Sequence, residues 1–98
     1  MSKPAFVYIL SNVRNTVLYV GVTSNLKNRI LEHKEGKFPG FTKRYHVHKL
    51  VYFEELASPE EAILREKQFK GGSREAKIAL INSTNPNWND LFFDLEDI

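Results

Sequence analysis

Ninety-eight residues, 42% hydrophobic and 27% charged, have an ordinary globular composition and leave room for one small domain rather than two independent cores. The absence of cysteine excludes disulfides and thiolate metal sites and makes the cytoplasm the default location, while no apolar run approaches the roughly 18 residues that cross a bilayer. The net charge of +2 is small but uneven: Lys27, Arg29, Lys34, Lys37, Lys43, Arg44 and Lys49 face only Glu32 and Glu35 between positions 24 and 50, whereas Asp90, Asp94, Glu96 and Asp97 close the chain without a base. That distribution fits a local positive surface for phosphates as well as it fits an unevenly charged solvated surface.

In chain order, Met1–Pro4 reads as a loose leader, and the apolar residues after it fit a strand rather than a secretory signal. Phe6–Leu10 and Val17–Val22 are β-branched and aromatic runs joined by the polar link Ser11–Asn15, which predicts a hairpin. Thr23-Ser24 offers an N-cap to a helix running to about Lys34, with Leu26, Ile30 and Leu31 as its apolar stripe. Phe41–His48 reads as a basic, aromatic connection and Lys49–Glu54 as a third strand. Ser58-Pro59-Glu60-Glu61 starts a second long helix with a cap, a proline at the first position and a capping box. It should stop at Gly71-Gly72 and bury Ala62, Ile63 and Phe69. Ser73 caps a third helix with Ala76, Ala79, Leu80 and Ile81 inward, and Trp88, Leu91, Phe92 and Leu95 pack back on the domain. The expected fold is α+β: a small three-stranded antiparallel sheet in β-β-α-β-α-α order, flanked by helices.

Several residues exceed what packing requires. Alternation puts Tyr8 on one face with Phe6 and Leu10, and Tyr19 on one face with Val17 and Gly21. Two phenols can therefore stand side by side next to a glycine that admits close approach to the backbone. Arg29 and His33 are four apart and share a side of their helix. Glu66 falls on a core-facing stripe, where an ionised carboxylate must be paired, for instance with Lys49 or Arg65, or must hold a cation. Lys43, Arg44 and Lys49 around Tyr45 suit a nucleic-acid backbone, and equally suit solvent. His46 and His48 alternate along one face without cysteine, a poor structural zinc site.

Together, Val7-Tyr8-Ile9, Tyr19-Val20-Gly21, Arg29, His33 and Glu66 in Arg65-Glu66-Lys67-Gln68 resemble the signature of the GIY-YIG nuclease family, small bacterial members in particular. Asn85 in Asn85-Pro86-Asn87-Trp88 stands near that family's late asparagine. Val7 replaces the family's leading glycine, and Val22 stands where some members carry lysine.

The resemblance implies a metal-dependent endonuclease that hydrolyses DNA phosphodiester bonds, of the kind DNA repair or recombination uses. One divalent cation, Mg2+ or Mn2+, would sit on Glu66. Arg29 would grip non-bridging phosphate oxygens, and one tyrosine, Tyr8 before Tyr19, would act as base on the attacking water. His33 would relay a proton or bind phosphate. Gly21, Arg29, Lys43, Arg44, Lys49 and Asn85 would meet the substrate, DNA before RNA, with room for a protein partner that supplies specificity and no membrane. The rival reading is a non-catalytic or partner-dependent nucleic-acid-binding module on the same fold.

Overall fold

The computed structural model describes residues 3–95, so Met1, Ser2 and the acidic residues Glu96 and Asp97 lie outside the described part. The elements are β1 (Ala5–Ser11), β2 (Leu18–Thr23), α1 (Leu26–Lys34), α2 (Phe41–Arg44), β3 (Lys49–Leu56), α3 (Pro59–Gly71), α4 (Arg74–Thr84) and a 3₁₀ turn at Leu91–Asp94. The sheet has three strands in the order β2-β1-β3, both pairings antiparallel. This is the expected α+β arrangement with one addition: the connection after α1 contains the four-residue helix α2.

β1 is the axis of the molecule. It is hydrogen-bonded on both edges and all seven of its residues are buried. Phe6, Tyr8 and Leu10 face Leu26 and Ile30 of α1, while Val7 and Ile9 face Phe69 of α3 and Ile81 of α4. Each such aliphatic side chain contributes about 1.5–3 kcal/mol by leaving water. Between Ile9 and Leu10 the β3 register slips, with Ile9 opposite Tyr52 and Leu10 opposite Leu50. The extra residue, Val51, changes the alternation of β3. Val51 and Tyr52 therefore both face the α3–α4 side, whereas Leu50 and Phe53 face α1.

Local chemistry explains most boundaries. The hairpin loop closes on Asn12, whose Oδ1 accepts from Thr16 N at 2.8 Å and Val17 N at 3.0 Å. The cap of α1 is Asn25, accepting from Asn28 N, rather than Thr23 or Ser24. Thr23 is still paired with Phe6 as the end of β2, so the cap had to come later. Ser58 and Ser73 cap α3 and α4 as expected, and Glu61 Oε2 accepts from Ala57 N. On the helices, Leu31 (41%) and Ile63 (44%) are exposed, as are Ala76 and Ala79, against expectation. Each helix presents a narrow strip to a three-stranded sheet, so the flanks of an apolar stripe stay wet.

Two ion pairs fix the helical elements. Lys34 Nζ donates to Asp90 Oδ2 at 2.5 Å and His48 O at 3.0 Å, and Asp90 Oδ1 accepts from Leu50 N and Phe92 N. The terminal segment is thereby held where Leu91, Phe92 and Leu95 cover the α1 face. On the other face Arg65 forks onto Glu54 at 2.9 and 3.0 Å, and the Tyr52 hydroxyl donates to the same carboxylate. None of the described helices is long and apolar enough to cross a membrane.

Candidate active site

The register places Gly21 directly opposite Tyr8. A Cβ on Gly21 would lie 2.4 Å from the Tyr8 ring carbon Cζ and 2.4 Å from its hydroxyl. The glycine therefore makes room for the phenol itself, which lies flat across β2. Tyr19 stands beside it, ring centroids 6.5 Å apart. From α1, one turn beyond Arg29, His33 points into the same space and is 7% exposed.

His33 is hydrogen-bonded at both nitrogens: Nε2 to the Tyr8 hydroxyl at 3.0 Å and Nδ1 to Thr42 Oγ1 at 3.2 Å. Two tautomers satisfy this chain. In one, Tyr8 donates to Nε2 while Nδ1–H donates to Thr42; in the other, Thr42 donates to Nδ1 while Nε2–H donates to the Tyr8 oxygen. The first delivers a proton into the imidazole, and the second supports a phenolate. Thr42 is buried and comes from α2, the element that the sequence concealed.

In front of this chain lies a cavity of about 260 Å³ lined by Tyr19, Arg29, His33, Phe38, Pro39, Phe41 and Thr42. Arg29 lies 5.0 Å from the Phe38 ring centre and 3.5 Å from Glu32 Oε1, with its side chain about one-third exposed. Burial pushes the Tyr8 phenol up to about 12, helped by Tyr19 and opposed by the Arg29 guanidinium, with Glu66 adding slightly. Burial, then the Arg29 charge, pushes His33 down to about 4 against the pull of Glu32. At neutral pH both groups are uncharged, so Arg29 is the charged member of the cavity wall.

Glu66 stands outside those walls on α3, close enough for its charge to act on Tyr8. Its carboxylate is mostly buried (21% exposed) and pairs with Lys70 Nζ at 3.1 Å. The expected partners are engaged elsewhere: Arg65 with Glu54, and Lys49 with Asn15 Oδ1 at 2.6 Å. A carboxylate oxygen is the kind of donor a hard cation takes, and here Lys70 occupies it. Among the described residues no group of three His, Cys, Asp or Glu side chains could hold a metal. A cation at Glu66 would therefore keep most of its waters, as magnesium prefers.

The other expected substrate residues divide. Lys43 lines another cleft with His46 and His48, which adjoins the Arg29 cavity through His33 and Thr42. Arg44 lies over the exposed Tyr45 ring at 5.5 Å. Lys49 is half-buried against the hairpin loop. Asn85 is buried, with Nδ2 donating to Val51 O and Asn89 O and Oδ1 accepting from Asn89 N. It holds the turn after α4 against β3 and does not line the cavity. Thr42, Phe38 and Phe41 join the site without a sequence signal, because only the tertiary fold brings them to His33 and Tyr19.

The family model described as "GIY-YIG catalytic domain" matches residues 4–79. Curated relatives carry the name UPF0213 protein. That of Syntrophus aciditrophicus is 41% identical over 87 residues, 88% of this chain and 97% of the relative. That of Staphylococcus haemolyticus is 40% identical over 76 residues, 78% of this chain and 92% of the relative. The solution NMR structure of a UPF0213 protein from Bacillus halodurans superposes with a TM-score of 0.55 at 31% identity, covering 88% of this chain and 92% of that one. With the paired tyrosines, the glycine beneath the first of them and a catalytic-domain match over most of its length, the chain belongs to the GIY-YIG nuclease family.

Proposed function

We propose that this chain is a metal-dependent endonuclease that hydrolyses DNA phosphodiester bonds with a tyrosine-assisted water and one divalent cation, magnesium or manganese, in repair or recombination. The observation that carries this reading is the buried Thr42–His33–Tyr8 chain of hydrogen bonds, whose Thr42 and His33 line a cavity together with Arg29.

A scissile phosphate in the cavity would lie against the Arg29 guanidinium, whose planar fork matches two non-bridging oxygens. Its water would give a proton to the Tyr8 oxygen as the phenolic proton passes to His33 Nε2. Thr42 fixes the ring through Nδ1. Tyr8 at about 12 and His33 at about 4 make neither a ready base alone. Phosphate charge beside His33 raises its affinity for the proton, and Arg29 favours the phenolate, so substrate binding narrows the gap. A cation held by Glu66 would supply positive charge for the phosphoryl oxygens and the departing oxygen.

The binding-only reading draws on the same pKa values, since the resting site holds no ionised base. A magnesium-dependent cleavage screen over duplex, single-stranded and branched DNA and RNA separates the two. Cleavage by the native chain, lost in Glu66→Ala with folding intact, supports the nuclease; binding without cleavage on every substrate refutes it.

A further inference from the structure

We infer that the nucleic-acid strand does not end at the Arg29 cavity but continues around the free edge of β2, where Lys70 and Lys77 take its next phosphates. This rests on the nucleic-acid reading of the central cavity. A second cleft, of about 310 Å³, is lined by Leu18, Tyr19, Val20, Phe41, Lys70 and Lys77. It shares Tyr19 and Phe41 with the Arg29 cavity, so the two adjoin across these rings. β2 is an edge strand, and Tyr19 lies on its α1 face while Leu18 and Val20 lie on the other, so the cleft wraps the edge itself.

Its chemistry suits a phosphodiester backbone better than an added peptide strand. The two cations bracket an apolar floor, with Phe41 47% exposed as a surface for a sugar or base. Lys77 Nζ donates to Gly72 O at 3.2 Å and Ser73 O at 3.5 Å, which anchors its stem at the end of α3 and leaves a donor for a phosphate. Lys70 rests on Glu66. A cation on that carboxylate would release the ammonium into the cleft, so metal and strand would favour each other. Neither lysine belongs to the basic stretch between positions 24 and 50.

The test is fluorescence anisotropy with a labelled DNA duplex and the matching single strand, using calcium to read binding without turnover, across a salt series. Lys77→Ala should weaken binding several-fold and lower the salt slope by about 0.9 on duplex or 0.7 on single strand, one phosphate contact, while Lys77→Arg keeps both. Equal loss in Lys77→Ala and Lys77→Arg would mark a packing effect and overturn the proposal. So would an unchanged slope in Lys77→Ala, even in a protein that cleaves DNA, or no DNA binding by the native chain. A Lys77-dependent slope in a protein that cleaves nothing would uphold the track and refute the nuclease.

Discussion

Tyr8 and Tyr52 sit on neighbouring strands, face opposite sides of the sheet, and are both pushed up to about 12 with burial as the leading cause. Their second causes differ. Tyr52 donates to Glu54, a carboxylate already held by the Arg65 fork. For Tyr8 the second cause is Tyr19, opposed by Arg29, and its hydroxyl meets an uncharged imidazole at 3.0 Å that, unlike the phenol, lines a cavity large enough for a phosphate. A perturbed phenol therefore does not mark a site by itself. A partner that can accept its proton, and space for a reactant, separate chemistry from packing.

That contrast can be broken at several points. Arg29→Lys removes the planar fork at a position one-third exposed, so cleavage should fall by about 10²-fold with little change in thermal stability. Equal loss of both would recast Arg29 as structural. Folding lowers His33 from its ordinary 6.5 to about 4. The unfolded chain binds the extra proton in that window, so stability falls as pH drops from 6.5 towards 4, by up to about 3 kcal/mol. His33→Asn should flatten this slope in pH-dependent melting; an unaltered slope would contradict the burial of an uncharged ring.

Gly21→Ala sets a Cβ against the Tyr8 ring and should cost about 1–3 kcal/mol and displace the hydroxyl from His33. A variant as stable and active as the native chain would show that the ring does not need this place. The smallest effect belongs to Tyr52→Phe, about 1 kcal/mol of stability with cleavage per folded molecule unchanged. Lost cleavage there would remove the distinction between the two faces.

The hairpin half of the site was legible because a strand's two-residue period puts Tyr8 and Tyr19 on one face without knowledge of anything distant. The helical period likewise puts Leu26 and Ile30 on the inward stripe of α1, where both are buried, but it sets His33 beside Arg29 next to that stripe, and only the fold buries it. What escaped depends on long-range packing. Thr42 reaches His33 only because a four-residue helix forms, too short to leave a periodic signal. Glu66 pairs with Lys70 rather than Lys49 or Arg65, because sequence offers many opposite charges and only geometry selects one. Asn85 enters the expected substrate contacts only through the family resemblance, and its polar atoms are committed to backbone groups. Lys70 lies on a helix with three bases and three acids, and Lys77 on one with two bases and one acid, so neither stands out by charge counting.

The most direct test compares magnesium-dependent cleavage by Tyr8→Phe and Tyr52→Phe on one substrate, each rate divided by the folded fraction at the assay temperature. The account predicts a loss of about 10²–10⁴-fold for Tyr8→Phe, the range for a positioned acid–base group, and none for Tyr52→Phe. Undiminished cleavage by folded Tyr8→Phe, or equal losses in the two variants, would contradict it.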